Sequence, residues 1–181
     1  MTQTDRIPHP HRRTGNSLVR LLALAAFGAL AAAPLPANAA GPTPTGVWLD
    51  DTGDGAVEIV PCGKALCGRI VWLKTPTTTK GDPLTDQRNE RASQRNRPIC
   101  GLQVIGNLAR QADGSYDAGW IYDPKQGKAF DVAVEVAKPN QLRVIGYLGT
   151  RLFSKTLIWT RAPAEIGRCA APNQATLTPS R

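Results

Sequence analysis

One run of twelve residues, 119–130 (Gly-Trp-Ile-Tyr-Asp-Pro-Lys-Gln-Gly-Lys-Ala-Phe), constrains the fold of this chain most. It joins an aromatic, strand-like segment to a tight turn, because Pro124 presets φ for a reversal and Gly127 tolerates positive φ. Residues 129–137 then place Phe and three Val at alternate positions, the period of a strand with one buried face. The run therefore predicts an antiparallel hairpin.

Strand signals of this kind recur along the chain, separated by turn residues. Further candidates lie at residues 45–50, 57–60, 66–73, 99–108, 115–123, 142–146 and 153–161. Eight sequential antiparallel strands can close into an up-and-down barrel, which removes exposed edges and encloses an interior. We therefore expect an all-β, eight-stranded antiparallel barrel; a partly open sandwich is the alternative.

A polar segment, residues 74–97, interrupts the strand pattern. Loops of this length are usually functional lids or disordered segments. Residues 86–96 are compatible with a short helix, although the segment has too few apolar residues to dock firmly. Its arginines suit an anionic surface, whereas specific nucleic-acid binding would require stacking platforms or a recognised motif. These arginines are Arg88, Arg91, Arg95 and Arg97.

The first forty residues have the composition of an export signal. An alanine-rich apolar run at 18–33 precedes the triplet Ala37-Asn38-Ala39, and the run is shorter than the ~20 residues of a membrane span. We expect residues 1–39 to be a signal peptide cleaved near Ala39. The processed protein would then be periplasmic or secreted, without a membrane span. The basic lead consists of Arg6, Arg12, Arg13 and Arg20. It fits Sec export, with twin-arginine export as the alternative.

The mature chain predicted in this way is one domain with restricted chemistry. A linker at 40–44 precedes a single barrel domain at 45–170 and a flexible tail at 171–181. Both histidines of the chain lie in the leader, so Ser-His-Asp and Cys-His catalysis are excluded, as is any zinc site that needs histidine. About +5 of the formal charge of +8 remains. We expect no enzyme activity, no cofactor and no metal.

Four cysteines in an exported chain favour disulfides over a metal site, because paired C-x-x-C knuckles are absent. Cys62 and Cys67 flank a Gly-Lys-Ala-Leu loop, and a hairpin there would place them at facing positions. Cys100 would then pair with Cys169 and restrict the unfolded chain by up to ~4 kcal/mol. Three pairings are formally possible, and we expect this one.

Short motifs occur in a fixed order along the chain: Gly46-Val-Trp48, Cys62, Gly68–Leu73, Arg97–Leu102, Tyr122-Asp-Pro, Gly127-Lys128, Gly146–Gly149 and Trp159-Thr-Arg161. This ordered set resembles the DUF2147 family of small exported bacterial proteins of unknown function. That resemblance implies no catalytic residues that could be carried over to this chain. The chain departs from the family pattern in the polar loop, where Gln87-Arg88 follow Asp86 in place of Asn-Pro.

The chain also has an architectural likeness to lipocalins. Those barrels open with Gly-x-Trp, and an arginine of the last strand packs across the tryptophan. Gly46, Trp48 and Arg161 stand in the corresponding order. A guanidinium group over an indole contributes ~0.5–2 kcal/mol, so this likeness predicts a structural role and a lipocalin-like barrel.

Candidate binding residues are aromatic side chains with one arginine from the loop. Trp72, Trp120, Tyr122 and Arg97 could line a ligand site, and packing is their alternative role. Asp123, at the head of its turn, is expected to cap backbone N–H groups, with catalysis as the alternative. The carboxylates at 50–54 predict a polar turn, with a calcium loop as the alternative.

We therefore predict a monomeric, non-enzymatic barrel that binds a small, largely apolar ligand. The alternative is an envelope protein that docks on an anionic surface or a protein partner through its basic loop. An enzyme is the third possibility and would require paired acids in one cleft, such as Asp117 with Asp123.

Overall fold

The computed structural model describes residues 42–169. The predicted signal peptide (1–39) and the whole of the predicted tail (171–181) lie outside the described residues. The regular secondary structure of the described part consists of eight strands and one 3-10 turn. The strands are β1 (Gly46–Leu49), β2 (Gly55–Cys62), β3 (Ala65–Leu73), β4 (Gln103–Arg110), β5 (Tyr116–Asp123), β6 (Lys128–Lys138), β7 (Gln141–Leu148) and β8 (Thr150–Arg161).

The strands form one closed barrel in sequence order, and every neighbouring pair is antiparallel. The predicted eight-stranded barrel is confirmed, and the sandwich alternative is wrong. Closure between β1 and β8 is short, because only Trp48 with Arg161 and Leu49 with Thr160 are paired. The remainder of β8 therefore has no strand partner on that side within the described part of the chain.

The predicted start of the fourth strand at residue 99 is wrong. β4 begins at Gln103, and the four residues before it form a turn. Gly101 has φ +82°, a left-handed conformation that ends a regular strand, and its N–H donates to the carbonyl of Ile70 at 2.8 Å. Ile99 is buried nonetheless, so its apolar character reflects burial in a loop rather than a strand position.

The core fills the barrel interior towards the end where β1 begins and β8 ends. Its side chains lie on the inner face predicted by the alternation of β6. Val132 and Val134 are fully buried, and the register places Val144 opposite Val134. Gly68 allows close packing on this face, since a Cβ there would lie 3.0 Å from Val57 and 3.1 Å from Ile105. Among the described residues, the largest fully buried apolar side chains are Trp48, Ile59, Ile105, Leu108 and Leu142.

The two predicted disulfides are confirmed. Cys62 and Cys67 are bonded with a Cα–Cα distance of 5.8 Å, and Cys100 and Cys169 with 6.2 Å. The expectation that Cys62 faces Cys67 directly is wrong, because the turn is tighter than expected: Cys62 pairs with Ala65, so the bridge is diagonal. The second bridge holds the C-terminal segment of the described chain against β3, where the N–H of Cys169 donates to the carbonyl of Val71.

No helix in residues 42–169 is long and apolar enough to cross a membrane. The helix that we considered for residues 86–96 is reduced to a 3-10 turn, Ala92–Gln94. The polar loop is ordered by other means: it forms two isolated bridges, Thr77 with Pro83 and Thr85 with Pro98.

Candidate functional site

The end of the barrel where β1 begins and β8 ends, which we call the closed end, is sealed by the Gly-x-Trp and arginine arrangement. The guanidinium carbon of Arg161 lies 3.6 Å from the centre of the Trp48 ring, and one guanidinium nitrogen donates to the Thr45 carbonyl at 2.9 Å. Burial lowers the pKa of Arg161. Gly46 is required, since its φ is +117° and a Cβ would lie 2.2 Å from Arg161. These three residues pack together at the closed end.

The opposite end, which we call the open end, carries the turns at 50–54, 123–127 and 149 and the polar loop. Here the inner face is only partly covered. The register aligns Ile121 with Phe130 on this inner face. Both side chains are only half-buried, and so is that of Leu157. Partly exposed apolar side chains on the inner wall define an accessible upper interior.

Gly146 lies at the centre of this accessible wall. The register aligns Val132 with Gly146 and Gly146 with Lys155, so the three share the inner face of β6, β7 and β8. A Cβ added at Gly146 would meet no atom within 4 Å. The fully buried Val132 therefore marks where the packed core ends, and open space begins beside Gly146.

The β7–β8 hairpin extends the open end with an apolar tip. Leu148 is 63% exposed, Leu152 is 83% exposed and Phe153 is 79% exposed. Phe153 has the same parity along β8 as Leu157, so it continues the inner face beyond the packed barrel. An apolar lip of this kind is a common feature of sites that bind other molecules.

A buried carboxylate fastens the polar loop to the β5–β6 hairpin. Asp86 is 1% exposed and accepts hydrogen bonds from the Tyr122 hydroxyl at 2.7 Å and from Asn89 Nδ2 at 2.8 Å. Arg97 donates to the same carboxylate at 2.9 Å through Nε and lies 2.8 Å from it through a second guanidinium nitrogen. The expectation that residues 86–96 dock weakly is wrong, because a charged hydrogen-bond cluster fastens this apolar-poor stretch.

Both the hydroxyl and the ring of Tyr122 contact the polar loop. Its pKa is raised, first by burial and then by the hydrogen bond to Asp86, which favours the neutral hydroxyl that donates. The Arg97 guanidinium lies 5.3 Å from its ring centre. Arg88 also binds this hairpin, donating to the Lys125 carbonyl. Two elements distant in sequence, the polar loop and the β5–β6 hairpin, are thus joined at one place.

The four residues proposed as ligand-binding do not share one surface. Arg97 and Tyr122 meet at Asp86, and the register places Trp120 opposite Gly106 and Asp131, on the outer face of the barrel. A Cβ at Gly106 would lie 2.5 Å from the Trp120 ring, so the indole covers that glycine. Trp72 pairs with Ala56, also on the outer face.

The sequence interpretation overlooked Asp86, Asn89, Gly146 and Lys155. A signal for Lys155 was present, since it has the same strand parity as Leu157 and Trp159. Asp86 offered no comparable signal, because its partner Tyr122 is 36 residues away.

The candidate acids serve local structure at separate places. Asp117 accepts from the Tyr147 hydroxyl at 2.8 Å and from Arg151 at 2.6 Å; burial alone would raise its pKa, but these donors hold it below its usual value. Asp123 accepts from the N–H of Lys125 at 2.8 Å, as a capping aspartate does. Their separate partners give no support to a catalytic pair.

The turn at 50–54 is a polar turn held by Asp50. Its carboxylate accepts from the N–H of Thr52 and from the N–H of Asp54, each at 3.1 Å. Within residues 42–169, no cluster of three or more histidine, cysteine or acidic residues could hold a metal ion.

A groove of about 830 Å³ lies at the closed end, lined by turn residues 111–115 with Arg110, Glu135 and Val136. The carboxylate of Asp113 already accepts from the N–H and the hydroxyl of Ser115, at 2.9 and 2.6 Å. The groove is wide and its polar groups serve the turn, so the open end is the better candidate for a binding site.

A closed, eight-stranded antiparallel barrel sealed by a Gly-x-Trp and arginine pair at one end is a lipocalin-like barrel. The chain belongs to the family described as "Uncharacterized protein conserved in bacteria (DUF2147)", whose model matches residues 46–161. The matched range spans β1 to β8 and includes both sides of the closed end.

Among solved structures, the chain is similar to protein HP1028 from the human pathogen Helicobacter pylori, which is described as belonging to the lipocalin family. The TM-score is 0.56 at 20% sequence identity, and the match covers 67% of this chain and 84% of that one. At this identity the likeness shows the fold alone. No curated protein matches the chain.

Proposed function

We propose that this protein is a non-enzymatic binder of a small, largely apolar ligand, held in the upper interior at the open end of the barrel. One observation carries the proposal: the inner wall has open space beside Gly146, and the neighbouring inner-face residues Ile121, Phe130 and Leu157 are apolar and half-buried. Apolar walls that remain accessible are typical of ligand sites in barrels of this size.

The packed core limits the depth of this site. Val134 and Val144 are fully buried and fill the interior one row closer to the closed end than Gly146. The ligand therefore occupies a shallow upper cup rather than a deep calyx, and the exposed tip at Leu148 and Phe153 extends the apolar wall beyond the barrel rim.

Export and a monomeric state remain part of the proposal. Two disulfides support an oxidising compartment, in which such bonds form and persist. Docking through the basic loop has less support, because the side chains of Arg88, Arg95 and Arg97 bond to the protein itself.

The test is to fill the open space with the protein's own atoms. Gly146→Leu adds an apolar side chain where a Cβ meets nothing within 4 Å and where φ is not left-handed. N-phenyl-1-naphthylamine, a neutral probe whose fluorescence rises in apolar sites, is titrated into both proteins. We expect binding by the parent protein and at least tenfold weaker binding by Gly146→Leu, with no loss of thermal stability.

Ser154→Leu is the matched control. Ser154 is paired with Tyr147 on the outer face of the same hairpin, so the substitution places the same leucine side chain outside the barrel. Equal probe affinity for the Gly146 and Ser154 variants, or no probe binding by the parent protein, would overturn the proposal.

A further inference from the structure

We propose that the ligand is an anionic amphiphile whose head group is bound by the Lys155 ammonium at the open end. The inference rests on the proposed function and names the chemical class that the same site takes. It concerns the charge at the mouth of the barrel, where the apolar inner wall ends.

Lys155 stands in a row of the inner face that is otherwise apolar. It is aligned with Gly146, and Gly146 with the fully buried Val132. The next inner-face residues of β8 towards the closed end, Leu157 and Trp159, are apolar. A cation therefore replaces the apolar residue that the pattern requires, at the level where the core ends and open space begins.

Lys155 is also unpaired. Within residues 42–169 its ammonium makes no hydrogen bond or ion pair, whereas nearby Arg151 is bonded to Asp117 at 2.6 Å. Lys74 and Lys125, two further lysines at this end, each lie within 4 Å of Asp54. Lys155 is thus a cation at this rim that is available to a ligand.

The order of side chains from the interior to the mouth indicates which end of the ligand is apolar and which is charged. Open space beside Gly146 lies next to half-buried Phe130 and Leu157, and the exposed Lys155 is aligned with Gly146 on the neighbouring strand. A ligand that satisfies both parts has an apolar tail directed inward and a single carboxylate, sulfate or phosphate at the mouth. A carboxylate of medium chain length is the simplest example.

The competing explanation is that Lys155 protects an edge strand. An inward-pointing charge is one way in which proteins prevent an unpaired edge from associating, and β8 pairs with β1 only near its C-terminal end. Under that explanation, loss of the charge causes self-association and leaves ligand affinity unchanged. The two roles are therefore separable by experiment.

The experiment compares dodecanoate with dodecanol as competitors of N-phenyl-1-naphthylamine, in the parent protein, Lys155→Gln and Lys138→Gln. Lys138 is exposed at the closed end, so it matches the charge change far from the site. We expect the parent protein to bind dodecanoate about two- to fivefold more tightly than dodecanol, the upper part of the range that a solvent-accessible ion pair provides. Lys155→Gln should abolish this preference, and Lys138→Gln should retain it.

Each remaining outcome has a definite meaning. If both competitors displace the probe equally from the parent protein, or if Lys155→Gln retains the preference, the head-group assignment is wrong while the proposed function stands. If neither competitor nor probe binds, the proposed function itself is wrong. Light scattering of Lys155→Gln at the same concentrations identifies the edge-protection role, since that role predicts dimers or larger species and an unchanged preference.

Discussion

Two consecutive hairpins of the same barrel reach the open end and differ in what covers them. The β5–β6 hairpin is covered by the polar loop, which bonds to Tyr122 and to the Lys125 carbonyl. The β7–β8 hairpin carries an uncovered apolar tip, with Leu152 83% exposed. Their neighbouring positions in sequence and in the sheet do not predict this difference.

The contrast lies largely in polar contacts, because the covered hairpin is bonded to a buried carboxylate of the loop. Tyr122 on β5 donates a hydrogen bond to a carboxylate of the loop. Tyr147 on β7 instead donates to Asp117, which lies on β5 of the barrel itself. One tyrosine therefore anchors a separate segment, and the other only braces the sheet. The uncovered hairpin is left available for a ligand at the mouth.

Loss of the Arg97 guanidinium is the largest expected effect on this comparison. Arg97→Met leaves the Asp86 carboxylate buried without its cation, and removal of one partner of a buried pair costs about 3–5 kcal/mol. Because Arg97 is itself partly exposed, we expect the lower end of that range. Urea denaturation measures the change, and hydrogen exchange of residues 85–97 should report an opened loop.

Arg91→Met is the control for that substitution. The Arg91 side chain makes no hydrogen bond or ion pair within the described residues, so its loss should change stability by less than about 0.5 kcal/mol. A similar loss of stability in both variants would show that the Asp86 cluster does not fasten the loop.

The turn glycines of the two hairpins provide a closer comparison. Gly127 and Gly149 have nearly the same conformation, with φ +71° and +67°. An alanine Cβ at Gly127 would lie 1.9 Å from the Arg88 carbonyl oxygen, but at Gly149 it would meet nothing within 4 Å. Both alanine variants incur the left-handed strain of about 1–2 kcal/mol, and only Gly127→Ala should also displace the loop.

Thermal and urea unfolding of both variants test this difference. We expect Gly127→Ala to be the less stable by about 1–2 kcal/mol, on the order of one local backbone strain. Equal stability, together with unchanged hydrogen exchange of the loop, would mean that the close approach of Arg88 to Gly127 is dispensable.

The two tyrosine hydroxyls should differ by the smallest amount. Tyr122→Phe removes a bond to a buried carboxylate, for which about 1.5–3 kcal/mol is typical, whereas Tyr147→Phe removes a bond to a partly exposed one and should cost about 0.5–1 kcal/mol. The reverse order would refute the view that the loop-bound hairpin is the more strongly held.

The same tyrosines predict alkaline sensitivity. Burial, followed by the hydrogen bond to Asp86 or Asp117, raises the pKa of each hydroxyl above its usual value of 10.0. A raised folded-state pKa stabilises the fold below pH 10 and that contribution is lost as pH rises through the folded-state value. As pH rises above about 10, stability should therefore fall less steeply in Tyr122→Phe than in the parent protein.

Particular residues show why some features were predictable. The alternation of Val132, Val134 and their neighbours is local, and it correctly predicted the inner face of β6. The cysteine spacing likewise predicted both bridges. The start of β4 was missed because Ile99 is apolar for a tertiary reason, namely burial in the turn that precedes the strand.

The candidate site was harder to predict than the fold. Trp72 and Trp120 were chosen by residue type, but the register places both on the outer face. The inward position of Lys155 was detectable from its parity in β8. Its proposed role in binding, however, depends on the open space beside Gly146, which lies in another strand. Residue type alone does not reveal which wall of a barrel remains uncovered.

By itself, the sequence determined an antiparallel barrel, its order of strands, its disulfides and its closed end, because these follow from local periodicity and from motifs read in order. Only the tertiary structure decided that Asp86 fastens the loop to β5 and that the interior stays open beside Gly146. Burial and empty space are properties of contacts between residues far apart in the chain. A carboxylate is buried only where distant donors converge on it, and a cavity exists only where no distant side chain fills it.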